Sequence, residues 1–226
     1  MGGIYFIFIF FFLSLSLLIL PPKQIYPAVR VLFRIQLLLM GVTIETFGLE
    51  NVNPLKSYLF MGNHQSMFDL FAIPAAIPVH AVGLEAAYHF SLPFWGYLIR
   101  KWGNIPVYRK DLARSIISLK TAGSIIASGT SIVVLPEGHR TLTGKMGAFK
   151  KGPFHLALEA GADILPFFIN GLFEYKSKKG WKLNPTTATI RFGTPIPYIS
   201  FMNDNVETVK KRVRCAMDQL EADSKQ

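Results

Sequence analysis

The chain has 226 residues, half of them hydrophobic, and carries a formal net charge of +10 at pH 7. This length suits one large domain or two small ones. Cys215 is the single cysteine, which excludes an intramolecular disulfide and any metal site built from several cysteines. The basic charge suits nucleic acid or an anionic lipid surface as a partner, but the sequence contains no nucleic-acid-binding motif, so we predict no nucleic-acid partner.

Residues 1–22 form an apolar segment that we interpret as a membrane anchor. Residues 4–20 contain no charged side chain and would make a helix about 26 Å long, close to the thickness of the hydrocarbon core of a bilayer. A cleaved signal peptide is the alternative, but the segment lacks a basic start and a small-residue cleavage site. Basic residues follow the anchor and none precede it, which predicts that the body of the protein lies on the cytoplasmic side.

Residues 23–41 form a second apolar segment, in which Arg30 and Arg34 are one helical turn apart. Such a pattern is typical of a helix that lies in the membrane interface. It is equally typical of an amphipathic helix that packs on a domain, and the sequence does not separate the two. We interpret the remainder, residues 42–226, as one folded domain.

From residue 42 onward, short apolar or β-branched runs alternate with segments of helical periodicity, which is typical of an α/β domain. We therefore predict a single α/β domain with a mixed, mostly parallel sheet flanked by helices, preceded by the anchor helix and the amphipathic helix. The predicted strands are 42–47, 57–62, 79–83, 102–110, 131–135, 164–169 and 186–192.

Short polar residues predict where several helices begin. Ser91 and Asp111 are each expected to cap a helix, and Asp204 with Glu207 forms a capping-box pattern before the last helix. Pro166 lies within a predicted strand, which favours a sheet edge or a bulge at that position, because proline has no backbone N–H to donate.

The segment 63–69, Asn-His-Gln-Ser-Met-Phe-Asp, places His64 and Asp69 five residues apart. On one continuous helix the two side chains would lie about 140° apart. The spacing therefore favours a strand-to-helix boundary, with Ser66 as the helix N-cap and Asp69 in the first turn. From there the carboxylate can orient the imidazole, as the acid does in a hydrolase triad. A capped helix start with a polar loop is the alternative interpretation.

Two further candidate sites follow predicted strands. Arg109 comes at the end of one strand, and the loop 136–141, Pro-Glu-Gly-His-Arg-Thr, comes directly after another. A glycine-bearing loop beside Arg140 suits an anionic group, because the backbone can approach closely and a guanidinium can bind two oxygens. Each feature alone is typical of a solvated strand end or a turn. Together with His64 they predict a base and two cations for a phosphate-bearing alcohol.

Four sequence blocks appear in a characteristic order. They are 63–69 (Asn-His-x4-Asp), 103–109 (ending in arginine), 135–141 (Leu-Pro-Glu-Gly-His-Arg-Thr) and 164–167 (Ile-Leu-Pro-Phe). In these blocks the chain resembles the 1-acyl-sn-glycerol-3-phosphate acyltransferase (lysophosphatidate acyltransferase) family, over roughly residues 57–195.

The resemblance implies transfer of a fatty acyl group from acyl-CoA or acyl-carrier protein to the 2-hydroxyl of lysophosphatidate, which gives phosphatidate. It implies no cofactor and no metal, because the thioester is already activated. The bilayer, lysophosphatidate and the acyl donor are then the expected partners. By the family pattern His64 is the general base and Asp69 orients it. Arg109 and Arg140 would hold the glycerol phosphate.

The resemblance also places three other residues at the substrate: Ser66, Glu137 and Gly138. We expect Glu137 to pair with a neighbouring cation, because a carboxylate and a phosphate repel each other. The chain departs from the family pattern at Leu84 and His139, which leaves the acceptor and donor preferences open. The alternatives are an acyltransferase that uses another lysolipid as acceptor and a non-enzymatic lipid- or CoA-binding protein.

Overall fold

The computed structural model describes residues 2–180 and 182–224. Within these residues the chain forms seven strands and eight α-helices. The strands are β1 (Val42–Phe47), β2 (Leu59–Gly62), β3 (Ala81–Ala86), β4 (Ile105–Val107), β5 (Ser131–Val134), β6 (Ile164–Asn170) and β7 (Thr186–Phe192). The helices are α1 (Gly2–Ile19), α2 (Pro22–Leu39), α3 (Asp69–Ala76), α4 (Trp95–Trp102), α5 (Leu112–Ala127), α6 (Gly152–Ala160), α7 (Leu172–Tyr175) and α8 (Val206–Asp223).

The strands form a single mixed sheet in the order β1-β7-β6-β2-β5-β3-β4. All neighbouring pairs are parallel except β6 and β7, which are antiparallel. The predicted α/β domain with a mostly parallel sheet is therefore confirmed. Because β2 to β6 run in the same direction, they all end at one edge of the sheet, which we call the C-terminal edge.

Apolar side chains cover both faces of the sheet, as expected for parallel strands between helices. Phe60 and Phe167 belong to the cluster that packs beneath α3. Leu59 and Met61 belong to the opposite cluster, which includes residues of α5, α6 and α8. Successive residues of β2 thus face opposite sides, and all four of its residues are buried, so the strand is held from both faces.

Helix α2 packs on the domain. The Tyr26 hydroxyl lies 3.2 Å from the carbonyl oxygens of both Pro74 and Ile77, and Arg34 Nε donates to Ala75 O at 3.1 Å. Its opposite face exposes large hydrophobic side chains, among them Val31, Ile35 and Leu38. The packed-helix alternative is therefore correct for one face, while the other face keeps the apolar character that suggested a membrane interface.

Helix α1 runs back along α2. Gln36 near the end of α2 donates to Gly2 O at the start of α1 over 3.1 Å, and Leu17 of α1 clusters with Ile25 of α2. Among the described residues, α1 is the one helix long and apolar enough to cross a membrane, a test that a signal sequence also passes. Only 22% of it is buried, which separates it from the core helix of a soluble domain.

The predicted start of α4 is wrong. The Ser91 hydroxyl does not cap this helix but donates to Tyr88 O at 2.8 Å and completes the 3₁₀ turn Ala87–Ser91. The helix begins at Trp95 instead, after Phe94, a position where Ser91 cannot reach the free N–H groups. The cap at Asp111 is confirmed, because its carboxylate accepts from Arg114 N at 3.0 Å.

The predicted cap of α8 is also wrong, and so is one of the two alternatives for Pro166. The N-cap of α8 is Asn205, whose side-chain oxygen accepts from Thr208 N at 3.0 Å, while Asp204 instead pairs with Arg212. Pro166 is not at a sheet edge, since β6 lies between β2 and β7. The bulge alternative agrees with the structure, because two residues lie between Ile164 and Phe167, whereas three lie between their partners Ile196 and Phe192.

Replacing Asn205 by Ala should lower the free energy of unfolding by about 1 kcal/mol, because the α8 N–H groups lose their side-chain acceptor. Chemical denaturation followed by circular dichroism measures the change. Asn205→Ser is the matched control, since serine also caps helices well. Equal losses in the two variants would contradict the cap assignment.

A second prediction concerns His80, which contacts the rings of Tyr26 and Trp102. Burial lowers the pKa of His80 to about 4, and the charge of Lys23 contributes to the same lowering of this pKa. An unfolded histidine has a pKa of about 6.5, so between these values the unfolded state binds a proton that the folded state does not. The free energy of unfolding should therefore fall as the pH falls through this window.

His80→Phe removes this titration, and its stability should fall less than that of the wild type between about pH 7 and about pH 4.5 in denaturant titrations. The His80 Nε2 atom has no hydrogen-bond partner among the described residues, so the substitution breaks no bond there. His155→Ala, at an exposed position on α6, is the control and should keep the wild-type pH dependence. Parallel pH profiles for wild type and His80→Phe would refute the prediction.

Candidate active site

His64 and Asp69 meet at the C-terminal edge of the sheet. Strand β2 ends at Gly62, the loop 63–68 follows, and α3 begins at Asp69. The predicted strand-to-helix boundary thus brings the two side chains together: His64 Nδ1 lies 2.7 Å from Asp69 Oδ2. Asp69 is buried, whereas the His64 side chain is 25% exposed and so remains accessible to a ligand.

The Asp69 carboxylate is held by backbone donors as well as by the imidazole. Gln65 N donates to Oδ2 at 2.8 Å, and Ser66 N donates to Oδ1 at 3.1 Å. Because an ionised carboxylate only accepts, the contact with His64 requires a proton on Nδ1. This tautomer leaves the lone pair of His64 Nε2 free to accept a proton from another group.

Ser66 does not cap α3, contrary to the sequence prediction. The residue that precedes α3 is Phe68, and no side chain caps this helix. The Ser66 hydroxyl is buried and donates to Lys176 O at 2.8 Å, which joins the loop 63–68 to the segment after α7. The structure therefore shows Ser66 in a link between two loops, and a substrate contact for it stays a prediction.

Glu137 is almost completely buried, at 1% exposure, and binds backbone rather than a cation. Its Oε1 accepts from His64 N at 2.8 Å, and its Oε2 accepts from Gly147 N at 2.7 Å. Thr141 N also donates to His64 O at 2.8 Å, so the loop after β5 holds the backbone of His64 from two sides. The expected pairing of Glu137 with a neighbouring cation is wrong, because within the described residues its oxygens accept from these two N–H groups and form no ion pair.

Gly138 and Arg140 lie in the same loop. Gly138 has φ +72°, a backbone conformation that favours glycine, and its N–H donates to Leu135 O at 2.9 Å. This turn allows Glu137 to point inward while the chain continues toward Arg140. Arg140 is half-buried and precedes Thr141, which is bonded to the His64 backbone, so the backbone of Arg140 lies beside the histidine loop.

Arg109 lies at the same edge but farther from His64. It follows β4, which is three strand spacings from β2, or roughly 14 Å across the sheet. Exposed Arg109 and Lys110 border an open cavity of about 310 Å³ that Tyr88 and Tyr108 also line. The structure thus brings His64, Asp69, Glu137 and Arg140 into linked loops and places Arg109 separately on their flank.

Two supporting residues were not singled out from the sequence. Asn63 exchanges two hydrogen bonds with the backbone of Ile169: its Nδ2 donates to Ile169 O at 2.8 Å, and its Oδ1 accepts from Ile169 N at 2.7 Å. Gln65 Oε1 accepts from Leu172 N at 3.0 Å and so binds the start of α7. Both side chains are buried. In the sequence, the only indication of these two supporting residues is that 63–66 is an unbroken polar run directly after a fully apolar strand.

Comparison with known proteins identifies the family of this chain. The sequence model of the Acyltransferase family matches residues 43–170, which is more than half of the chain and includes every site residue above. The chain therefore belongs to the acyltransferase family.

The names of similar proteins are more specific than the name of the family. The chain is 28% identical over 180 residues to the 1-acyl-sn-glycerol-3-phosphate acyltransferase alpha of Ovis aries, covering 79% of this chain and 63% of that protein. It is 28% identical over 176 residues to the 1-acyl-sn-glycerol-3-phosphate acyltransferase of Limnanthes alba, covering 77% and 62%. The chain thus spans less than two thirds of the length of these relatives.

The same fold occurs in a solved structure, the 1-acyl-sn-glycerophosphate (LPA) acyltransferase PlsC from Thermotoga maritima. The TM-score is 0.84, and the match covers 100% of this chain and 95% of that chain. At 20% sequence identity this similarity establishes the fold. It includes α1 and α2, because the whole of this chain is covered.

Replacing Glu137 by Gln should lower the free energy of unfolding by roughly 1–3 kcal/mol, because an amide can accept from only one of the two buried N–H groups. We expect activity to fall as well, since the backbone of His64 loses a partner. Denaturation and turnover are measured on the same preparation. Glu174→Gln, at an exposed position, is the control and should change neither quantity. Unchanged stability in Glu137→Gln would show that the buried carboxylate does not hold the loop.

Proposed function

We propose that this protein transfers a fatty acyl group from a thioester donor to the 2-hydroxyl of lysophosphatidate and thereby makes phosphatidate for phospholipid synthesis. The observation that carries the proposal is the 2.7 Å contact between His64 Nδ1 and Asp69 Oδ2 at the end of a central strand. Membership of the acyltransferase family and the names of the similar proteins support the same reaction.

In this reaction His64 is the general base. Its Nε2 removes the proton of the 2-hydroxyl while the oxygen attacks the thioester carbonyl, so that a C–O bond forms. The C–S bond then breaks, and the proton on Nε2 passes to the departing thiolate. Asp69 keeps the second proton of the imidazole on Nδ1 and stabilises the imidazolium that forms between these steps.

The loop after β5 supports the binding of the acceptor phosphate. The bond between Thr141 N and His64 O holds the backbone next to Arg140 at the His64 loop. From there we expect the guanidinium to reach the phosphate of the acceptor. Arg109 provides a second cation on the flank, beside the open cavity. A guanidinium binds two phosphate oxygens at once, which suits a phosphomonoester better than a neutral headgroup. Gly138 shapes the turn that brings these groups to the same edge.

The donor is acyl-CoA or acyl-carrier protein, and the reaction needs no metal or cofactor of its own. A thioester is already activated toward attack by an alcohol, so the protein has to supply a base, orientation and stabilisation of the developing oxyanion. The long apolar helix α1 supports association with the membrane that holds the lipid acceptor. We place the catalytic domain on the cytoplasmic side, because basic residues follow α1 closely.

The decisive test compares CoA release from acyl-CoA and lysophosphatidate by wild type, His64→Ala and Asp69→Asn. Loss of the base should reduce kcat by about 10²–10⁴, the usual contribution of a positioned general base. Asp69→Asn should also reduce kcat, because an amide can donate to Nδ1 and thereby shift the ring proton to Nε2. His155→Ala is the control for the loss of an exposed imidazole. Wild-type turnover in folded His64→Ala would refute the base assignment.

The acceptor is tested separately with a panel of lysolipids. Arg140→Gln should raise the KM for lysophosphatidate more than the KM for lysophosphatidylcholine, because only the first carries a phosphomonoester. A wild-type preference for lysophosphatidylcholine would favour another lysolipid as the acceptor, an alternative that the departures at Leu84 and His139 leave open. Tight phosphatidate binding without turnover of any donor would favour a non-enzymatic lipid-binding protein.

A further inference from the structure

The last residue of the 3₁₀ turn Ala87–Ser91 and the three residues before α4 form the segment 91–94, which we call the α4 tip. All four of its residues are exposed. Two of them are large and apolar: Phe94 is 73% exposed and Leu92 is 43% exposed. Tyr88 in the preceding turn is 65% exposed. Grouped apolar side chains on a surface indicate a contact with a partner more strongly than scattered ones do.

The backbone at Phe94 adds a second observation. Its φ is +61°, and it is the only non-glycine residue with positive φ in the described part of the chain. A bulky side chain is uncommon in this conformation, and such residues concentrate at functional sites, where other interactions stabilise them. Within the domain, Phe94 has few contacts that could do so, because most of its side chain is exposed.

The α4 tip is continuous with α1. The rings of Phe94 and Phe10 make an edge-to-face contact with centroids 5.8 Å apart. One turn further along α4, Leu98 packs in the cluster that contains Ile9 and Leu13 of α1. The outward side chains of α1, among them Phe8, Phe11 and Leu15, are exposed. If acyl chains cover that face of α1, the α4 tip lies against the same lipid layer.

The charges around the tip suit an anionic bilayer. The tip follows β3 and therefore lies at the C-terminal edge of the sheet. Exposed Arg109 and Lys110 follow the neighbouring strand and border the open cavity together with Tyr88. Asp111, the acid in this group, is engaged by the start of α5 through Arg114. Cations next to apolar and tyrosine side chains match the headgroup and acyl layers of an anionic membrane.

We propose that the α4 tip is a second bilayer contact, in which Leu92 and Phe94 enter the anionic membrane surface beside α1 while Arg109 and Lys110 face the headgroup phosphates. The proposal rests on the membrane association of α1 put forward above and not on the identity of the acyl acceptor. A membrane contact at the α4 tip would turn the C-terminal edge of the sheet, and with it His64, toward the membrane surface. A lysolipid would then reach His64 without leaving the bilayer.

The single cysteine makes a direct test possible. Cys215, which is exposed, is replaced by Ser, and one new cysteine is introduced at a time into the full chain: Leu92→Cys, Phe94→Cys, Phe11→Cys or Leu55→Cys. Each variant is labelled with an environment-sensitive fluorophore and reconstituted into phosphatidylcholine vesicles containing phosphatidylglycerol, with or without nitroxide-labelled lipid. Phe11 reports on α1. Leu55 is the matched control, because it is 93% exposed and precedes β2, at the opposite edge of the sheet.

We expect the labels at positions 92 and 94 to be quenched several-fold more strongly by the nitroxide lipid than the label at 55. Equal quenching at 92, 94 and 55, with strong quenching at 11, would overturn the proposal while leaving the association of α1 intact. Weak quenching at all four positions would overturn both. Phe94→Cys removes the contact with Phe10 and could therefore fail to fold. In that case the label at position 92 still tests the membrane contact. The fluorescence does not depend on turnover, so a failure of the proposed reaction would leave this result unaffected.

Discussion

Two buried carboxylates hold the C-terminal edge of this acyltransferase together. Glu137 accepts backbone N–H groups of His64 and Gly147, and Asp69 accepts those of Gln65 and Ser66 as well as the His64 ring. A buried carboxylate is costly unless its oxygens are hydrogen-bonded, and charge-assisted bonds to N–H groups compensate best. A movement of the loops around His64 would therefore leave a buried carboxylate without its hydrogen-bond donors, which restricts these loops to the observed arrangement.

The sheet supplies the frame on which these loops depend. Strands β2 and β5 are adjacent and parallel, so the loops after them leave the sheet side by side. Glu137 follows closely on Val134, the last residue of β5, and can therefore reach the His64 backbone just beyond the end of β2. Asn63 binds Ile169 on the other neighbour, β6, and so continues the pairing of β2 beyond its last regular residue. His64 is thus fixed between two strands that flank β2.

The N-terminal helices belong to the same unit as the domain. Helix α2 is bonded to the end of α3 through Tyr26 and Arg34, and α3 begins at Asp69. The helix that orients the candidate base is therefore packed on α2, which in turn packs on α1. This continuity relates the apolar outer face of α1 to the position of His64 and Asp69.

The strands and the pairing of His64 with Asp69 could be anticipated from local patterns. Apolar runs of strand length predicted β1, β2, β5, β6 and β7, and the five-residue spacing already favoured a strand-to-helix boundary. The capping predictions were less successful. Asp111 was right because it directly precedes its helix. Ser91 instead bonds Tyr88 O within its own 3₁₀ turn, and Asp204 pairs with Arg212, so neither caps the helix that follows.

By itself, the sequence determined the fold class, the family blocks and the residues able to act as base and cations, because these depend on residue type and on short-range spacing. The tertiary structure decided what each residue touches. It showed that Glu137 binds two N–H groups instead of a cation and that Ser66 bonds Lys176 O instead of capping α3. These choices join segments 10 to 110 residues apart in the chain, and local propensity carries no information about such contacts.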